Sequence, residues 1–274
     1  MAIPISASLF RLYRRRSDDP AQSLMSNEAA SHRTRDGFLR TVSLVRDRVD
    51  DAEVYPFSIP AVRALRALEL HPGVTFFVGE NGSGKSTLIE AIAIQAGFNP
   101  EGGTRNFMFS TRSSESALHR CLRLARSPRR ERNGFFLRAE SFFNVATEID
   151  RLAVLDSYGG RSLHDQSHGE SFLALIKNRF GPDGLYILDE PEAALSPSRQ
   201  LTLLARIHEL AHHGRSQFLI ATHSPIILAY PYATIYQLSE SGIGRVAYEE
   251  TEHFFLTREF LLNRERFFRE LFDE

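Results

Sequence analysis

The chain has 274 residues, 42% hydrophobic and 24% charged, with a formal net charge of −1. That length and apolar content suffice for one well-packed domain, alone or with an appendage, and the near-neutral balance excludes a global electrostatic pull toward nucleic acid or an anionic membrane. The single cysteine, Cys121, excludes an internal disulfide and a cysteine-based metal site, which fits a reducing, cytoplasmic setting, and no apolar run reaches the about 18 residues that a membrane helix needs.

Residues 1–36 are polar and mixed, without sustained periodicity, and predict a poorly ordered N-terminal arm; "RLYRRR" has no apolar stretch behind it, unlike a secretory signal. The remainder, 37–274, predicts a single domain. Phe38–Val49 alternates like a strand at a sheet edge. "VTFFVGE" (Val74–Glu80), between Pro72-Gly73 and a Gly-rich loop, predicts a buried parallel strand, and "STLIEAIAIQAGF" a helix after it. Residues 102–133 are rich in Gly, Ser and Arg and predict a small irregular subdomain.

Gly134–Glu140 predicts another strand, followed by helices over "SFFNVATEIDRLAVL" and "GESFLALIKNRF", the latter stopped by Gly181-Pro182. "LYILD" and "SQFLIATHS" predict strands on either side of a helix from Pro197 to Gly214. Two further strands, "ATIYQLS" and "GRVAYEE", join through Ser241-Gly242, and an amphipathic helix closes the chain. Strands alternating with helices predict a mostly parallel α/β sheet covered on both faces, with an antiparallel β edge. No repeat or coiled-coil run interrupts this pattern.

The chemistry centres on "GENGSGKS", Gly79–Ser86, which matches G-x-x-x-x-G-K-[ST] after a predicted strand and before a predicted helix. Gly79, Glu80, Asn81, Gly82, Ser83 and Gly84 would turn successive backbone N–H groups toward phosphate oxygens, with the helix N-terminus adding partial positive charge. Lys85, one of only two lysines in the chain, can reach the β- and γ-phosphates, and Ser86, followed by Thr87, can ligate Mg²⁺. A chance Gly-rich turn is the bland alternative, and the matching context disfavours it.

"LYILDEP", Leu185–Pro191, ends an apolar strand in two acids. Asp189 is placed to hold Mg²⁺ beside Ser86, and Glu190 to polarise an attacking water. Asp-Glu-Pro is also a good start for a helix, where acids are favoured. His223, at the tip of the "IATHSP" strand, is either a structural hydrogen bonder or a γ-phosphate contact. Ser167, Gly169 and Glu170 start a helix with N–H groups, a hydroxyl and a positive dipole end. That start reads both as a capping box and as a second phosphate site, the latter serving a nucleotide held by another copy of the chain.

In this order the motifs resemble the ABC-type ATPases of the P-loop NTPase fold. "GENGSGKST" is similar to the Walker A motif, "LYILDEP" to Walker B, "AALS" (Ala193–Ser196) to the D-loop, and His223 to the switch histidine. "SHGES" resembles the signature Ser-Gly-Gly-Gln, with His168 and Glu170 as departures. Within that superfamily the chain looks like the small free-standing ATPases of bacteria, through "EGGTRNF", "FFLRAESFF", "QSHGES", "LDEPEAALSP" and "ATHSPI"; the likeness runs from Phe38 to the C-terminus, with a signature-bearing helical or irregular subdomain over about 98–182. It implies a head-to-tail, ATP-dependent homodimer with two ATPs sandwiched between Walker A of one subunit and the signature helix of the other. It implies Glu190 as general base, His223 as γ-phosphate sensor, Lys85 on the phosphates, and Ser86 and Asp189 on Mg²⁺. Ser167, Gly169 and Glu170 would act on the partner's nucleotide. The glutamine that usually follows the strand assigned here to Gly134–Glu140, as a Mg²⁺ and water contact, is absent; either Glu140 replaces it or the loop is built differently. Tyr55 and Phe57 are candidates to stack on adenine, or are core.

The function expected is an ATP-driven switch acting on an unknown protein partner, in repair or defence by analogy alone. A transporter's ATP-binding subunit and a P-loop small-molecule kinase are the alternatives. The Arg-rich stretch "RLARSPRRER" (Arg123–Arg132) is either a nucleic-acid contact or a solvated face.

Overall fold

A computed structural model describes residues 36–105, 116–151, 164 and 167–272. The expected arm over 1–36 therefore lies, apart from Asp36, outside the described residues, as do the end of the helix expected to Leu155 and Asp165-Gln166 ahead of the Ser-His-Gly-Glu turn.

Six strands form the main sheet. They are β3 (Val74–Val78), β5 (Asn133–Arg138), β6 (Gly184–Asp189), β7 (Gln217–Ala221), β8 (Ala233–Ser239) and β9 (Gly242–Val246), in the order β5-β6-β7-β3-β8-β9. The first five run parallel and β9 closes the edge antiparallel to β8. The sequence predicts this arrangement because β3, β6 and β7 are apolar on both faces, as strands covered on both sides must be.

Alternate side chains feed two cores. Phe76, Phe135, Tyr186, Leu188, Phe218 and Ile220 point to one face. There they meet helices α4 (Phe142–Arg151), α5 (His168–Arg179) and α6 (Pro197–His208) through Val145, Ile149, Phe172, Leu175, Leu203 and Ile207. Phe77, Phe136, Leu185, Ile187 and Leu219 point to the other face, against Leu88, Ile89 and Ile92 of α2 (Lys85–Gln95). Each fully buried Leu, Ile or Phe contributes roughly 1.5–3 kcal/mol relative to exposure, so period-two alternation fixes which helix lies on which face. Among the described residues no helix is long and apolar enough to cross a membrane.

Two expectations are corrected. The strand expected at Phe38–Val49 is shorter, β1 (Leu39–Leu44), and is not an edge of the main sheet. It is the centre of a separate three-stranded antiparallel sheet, between β2 (Ala67–Glu69) and β4 (Leu122–Arg126). Residues 102–133 are also more regular than expected, since they contain the short helix α3 (Leu118–Cys121) and β4. In both cases the pairing partner is distant in sequence, so local periodicity carries no trace of it.

One side chain ties the small sheet to the large one. Gln217, fully buried at the start of β7, accepts from Leu39 N–H at 2.9 Å and donates to Leu39 O at 2.8 Å and to His71 O at 3.0 Å. Near-isosteric Gln217→Leu removes the bonds to two buried backbone groups of Leu39 and to the part-buried His71 carbonyl, each loss costing about 1–3 kcal/mol. We expect its urea midpoint to fall by the equivalent of about 3–5 kcal/mol with an unchanged slope; a change under about 1 kcal/mol would show that the sheets hold together without this link.

Candidate functional site

The carboxyl ends of β3, β6 and β7 bring the sequence motifs together. β7 pairs with both of the others, placing Asp189 opposite Ala221 and Phe77 opposite Ala221 in one row. The loop after β3 begins at Gly79, where φ is +152° and an added Cβ would lie 2.3 Å from Leu238 O, so only glycine fits. The loop then opens α2.

Lys85 is 4% exposed and donates from Nζ to Glu80 O at 3.0 Å, bending back over its own loop. Burial lowers its pKa, against the opposing pull of Glu190, Asp189 and Glu192. Ser86 Oγ donates to Asp189 Oδ1 at 3.1 Å. Burial pushes the Asp189 carboxyl up to about 6, although Arg138 and the Ser86 bond favour its charged form. Glu190 follows in the left-handed region (φ 51°, ψ 52°), a conformation that costs a non-glycine residue about 1 kcal/mol or more. Its N–H still donates to Ala221 O at 2.9 Å, so the turn leaves the strand end anchored.

That turn also swings Glu192 onto the loop after β7. Its carboxylate accepts from Thr222 Oγ1 at 2.8 Å and from His223 N–H at 2.5 Å. Ser224 donates to Gln200 Oε1 at 2.6 Å and caps α7 (Pro225–Leu228). Held in this way, His223 places Nε2 3.4 Å from Glu190 Oε1 and Nδ1 2.9 Å from His253 Nε2.

The structure thus places Ser86, Lys85, Asp189, Glu190 and His223 near one another. Glu140 lies to the side: it is 86% exposed and approaches Arg138 Nη2 at 3.7 Å. Arg138, at the end of β5, lies nearer the acids, with Nη1 2.6 Å from Glu90 Oε2 and Nε 3.7 Å from Asp189 Oδ2. Tyr55 is 63% exposed and its hydroxyl is 3.1 Å from Thr87 Oγ1, beside the phosphate loop, whereas Phe57 packs on the core.

The Ser167 turn is a capping box. The Glu170 carboxylate accepts from Ser167 N–H at 3.1 Å and from Ser167 Oγ at 2.7 Å. Arg199 stands beside it, 3.4 Å from Glu170 Oε1 and 3.5 Å from Ser167 Oγ. Gly169 is buried, and a Cβ there would meet Arg199 Nη1 at 2.3 Å and Ala194 O at 3.0 Å, so packing within this chain favours a residue without a side chain. The Arg-rich stretch turns partly inward: Arg126 pairs with Glu131 at 3.0 Å and Arg129 with Asp183 at 2.6 Å.

Arg138, Glu192 and His253 escape a motif search. A charge ending the apolar run of β5 marks Arg138, and a third acid in "DEPE" marks Glu192. Nothing local marks His253.

The donor set suits a polyphosphate with a divalent cation. Ser83 Oγ and His223 Nε2 are buried polar atoms without a hydrogen-bond partner. Among the described residues no group of three or more His, Cys, Asp or Glu can hold a metal alone. Ser86 and Asp189 offer two oxygens, and phosphate oxygens and water complete such a shell.

Residues 58–120 match the family described as "AAA domain", and residues 154–229 the family described as "AAA domain, putative AbiEii toxin, Type IV TA system". The hemin import ATP-binding protein HmuV of Pseudomonas aeruginosa is 30% identical over 177 residues, covering 56% of this chain and 68% of that protein. Among solved structures, cbiO1 from Clostridium perfringens, part of the ABC transporter complex cbiONQ, is 18% identical with a TM-score of 0.46, covering 84% of this chain and 97% of that one. The SMC head domain from Thermotoga maritima is 17% identical with a TM-score of 0.44, covering 76% and 98%. The motif geometry and the extent of the HmuV match together make the chain a member of the ABC-type P-loop ATPases.

Proposed function

We propose that the protein binds Mg-ATP and hydrolyses it between two head-to-tail copies, as an ATP-driven switch for a protein partner in the cytoplasm. The observation that carries this reading is the convergence of Lys85, Ser86, Asp189, Glu190 and His223 at one sheet edge. Gly79–Thr87 would wrap the phosphates, with Lys85 released from Glu80 O to meet the β- and γ-oxygens. Ser86 and Asp189 would hold Mg²⁺, which supplies charge neutralisation at the γ-phosphate. Glu190 would take the proton of the attacking water, and His223 would contact the γ-phosphate through Nε2. Ser167, Gly169 and Glu170 would complete the partner's site, and Glu140 remains the candidate for an outer Mg²⁺ contact.

A second reading, the ATP-binding subunit of an importer, is favoured by the likeness to HmuV. Recovery of a transmembrane protein with the native chain would select it. The second family's description lends the defence setting its support.

Glu190→Gln should bind ATP with near-normal affinity and lose roughly 10²–10⁴-fold or more in turnover, as loss of a general base does. Its mass by light scattering should double only with Mg-ATP; a monomer at saturating Mg-ATP would remove the sandwich. Lys85→Ala should abolish ATP binding, and Ser167→Arg should block dimer formation while each monomer still binds.

Asp189 gives a pH signature. Its folded pKa, about 6, lies above the ordinary carboxylate value near 3.9. The folded state therefore binds the proton more tightly, and the stability from this group is present below about pH 4 and lost as pH rises through about 6. Asp189→Asn should stabilise the ligand-free protein at pH 7.5 by roughly 1–3 kcal/mol and by much less at pH 4.5. Chemical denaturation at both pH values reads this directly, and an equal effect at the two would exclude a raised Asp189 pKa. The same variant should lose Mg²⁺-dependent ATP binding.

A further inference from the structure

His223 uses both ring nitrogens. Nε2 is buried, lacks a hydrogen-bond partner and lies 3.4 Å from Glu190 Oε1. Nδ1 lies 2.9 Å from Nε2 of His253, which is on the first turn of α8 (Glu252–Phe272). Neither family match reaches that helix.

The first turn of α8 is fastened to the His223 loop by contacts that do not involve either histidine. Tyr248 OH donates to Pro225 O at 2.8 Å, two residues after His223. Thr251, fully buried, donates to Tyr248 O at 2.7 Å and accepts from Phe254 N–H at 3.4 Å. The Tyr248 and Phe254 rings stand 4.5 Å apart. His253 is thus delivered to His223 by a rigid turn.

A neutral imidazole has one N–H and one lone pair. The Glu190 carboxylate beside Nε2 favours the proton there, and a γ-phosphate oxygen would need it there. His223 Nδ1 must then accept, and the group facing it must donate. We propose that His253 is a positioning residue for His223, donating from its Nε2–H to His223 Nδ1 and so holding the His223 ring with its N–H on Nε2, aimed at Glu190 and the γ-phosphate position. Burial, together with the neighbouring His223 and Lys85, pushes the His253 pKa down to about 4, so this ring is neutral near pH 7 and adds no second cation beside Lys85. The inference rests on the reading of His223 as a γ-phosphate contact.

The test compares His253→Leu with His253→Gln, whose side-chain amide can still donate near the position of Nε2. In ¹⁵N-histidine NMR spectra of the full chain without nucleotide, His223 should be the Nε2–H tautomer in the native protein and in His253→Gln. In His253→Leu it should become a mixture. In ATP turnover, His253→Leu should lower kcat roughly 10- to 100-fold, the scale of lost orienting contacts, with KM changed less than about threefold. His253→Gln should recover most of that loss. Adding His253→Leu to His223→Ala should cost nothing further, because the effect passes through His223. An unchanged His223 tautomer in His253→Leu overturns the proposal, and so does an additive double variant. If the native protein does not turn over ATP, the hydrolysis reading fails by itself, and the tautomer measurement still decides the role of His253.

Discussion

The register of three parallel strands is the constraint on which the site depends. β7 lies between β3 and β6, and its last residue, Ala221, faces Phe77 on one side and Asp189 on the other. The chain leaves all three strands at one level, so the phosphate loop, the two acids and the histidine loop start from a common edge. Parallel strands release their loops at the same end, where a ligand can meet several at once. A slip of one residue in β6 would turn Asp189 to the opposite face and exchange the two cores. Packing of Tyr186 and Leu188 on one face and Leu185 and Ile187 on the other opposes that slip.

The edge so formed concentrates buried polar groups at a cost in stability. Lys85 and Asp189 are both buried, and burial acts on each against its charged form. Among the described residues Lys85 Nζ donates to a backbone oxygen, Asp189 meets a hydroxyl and a long contact to Arg138, and Ser83 Oγ and His223 Nε2 lack a hydrogen-bond partner, the latter facing Glu190 Oε1 at 3.4 Å. Unpaired groups of this kind cost free energy in the empty protein. Glu190 adds backbone strain at the same point, where a relaxed strand end would aim its carboxylate elsewhere.

Most of this was legible in the sequence because it is local. The run "VTFFVGENGSGKS" states a buried strand, a turn that needs glycine and a helix start within thirteen residues, and "LYILDEP" and "IATHSP" each join a strand to its functional tip. The links that were not legible join distant segments. Gln217 bonds Leu39 across 178 positions, and Arg138 and Glu90 are 48 apart. The placement of β1 in its own sheet depends on β4, some 80 residues on, which alternation within Phe38–Val49 cannot encode. His253 meets His223 only because Tyr248 and Thr251 fix the turn before α8, and hydroxyls of that kind leave no pattern in composition.

The Ser-His-Gly-Glu turn balances the charge of its own helix start. A helix N-terminus with free N–H groups attracts an anion, and Glu170 already supplies one from within by closing the capping box. A second anion arriving there would meet that carboxylate. Arg199, within 3.5 Å of both Ser167 and Glu170, offsets the charge and leaves the helix start close to neutral. The acid at this helix start is thus matched by an arginine set beside it from α6. At Gly169 a Cβ would press on Ala194 O of the turn after β6 at 3.0 Å and displace the end of the Arg199 side chain, so the helix start lies close against that turn.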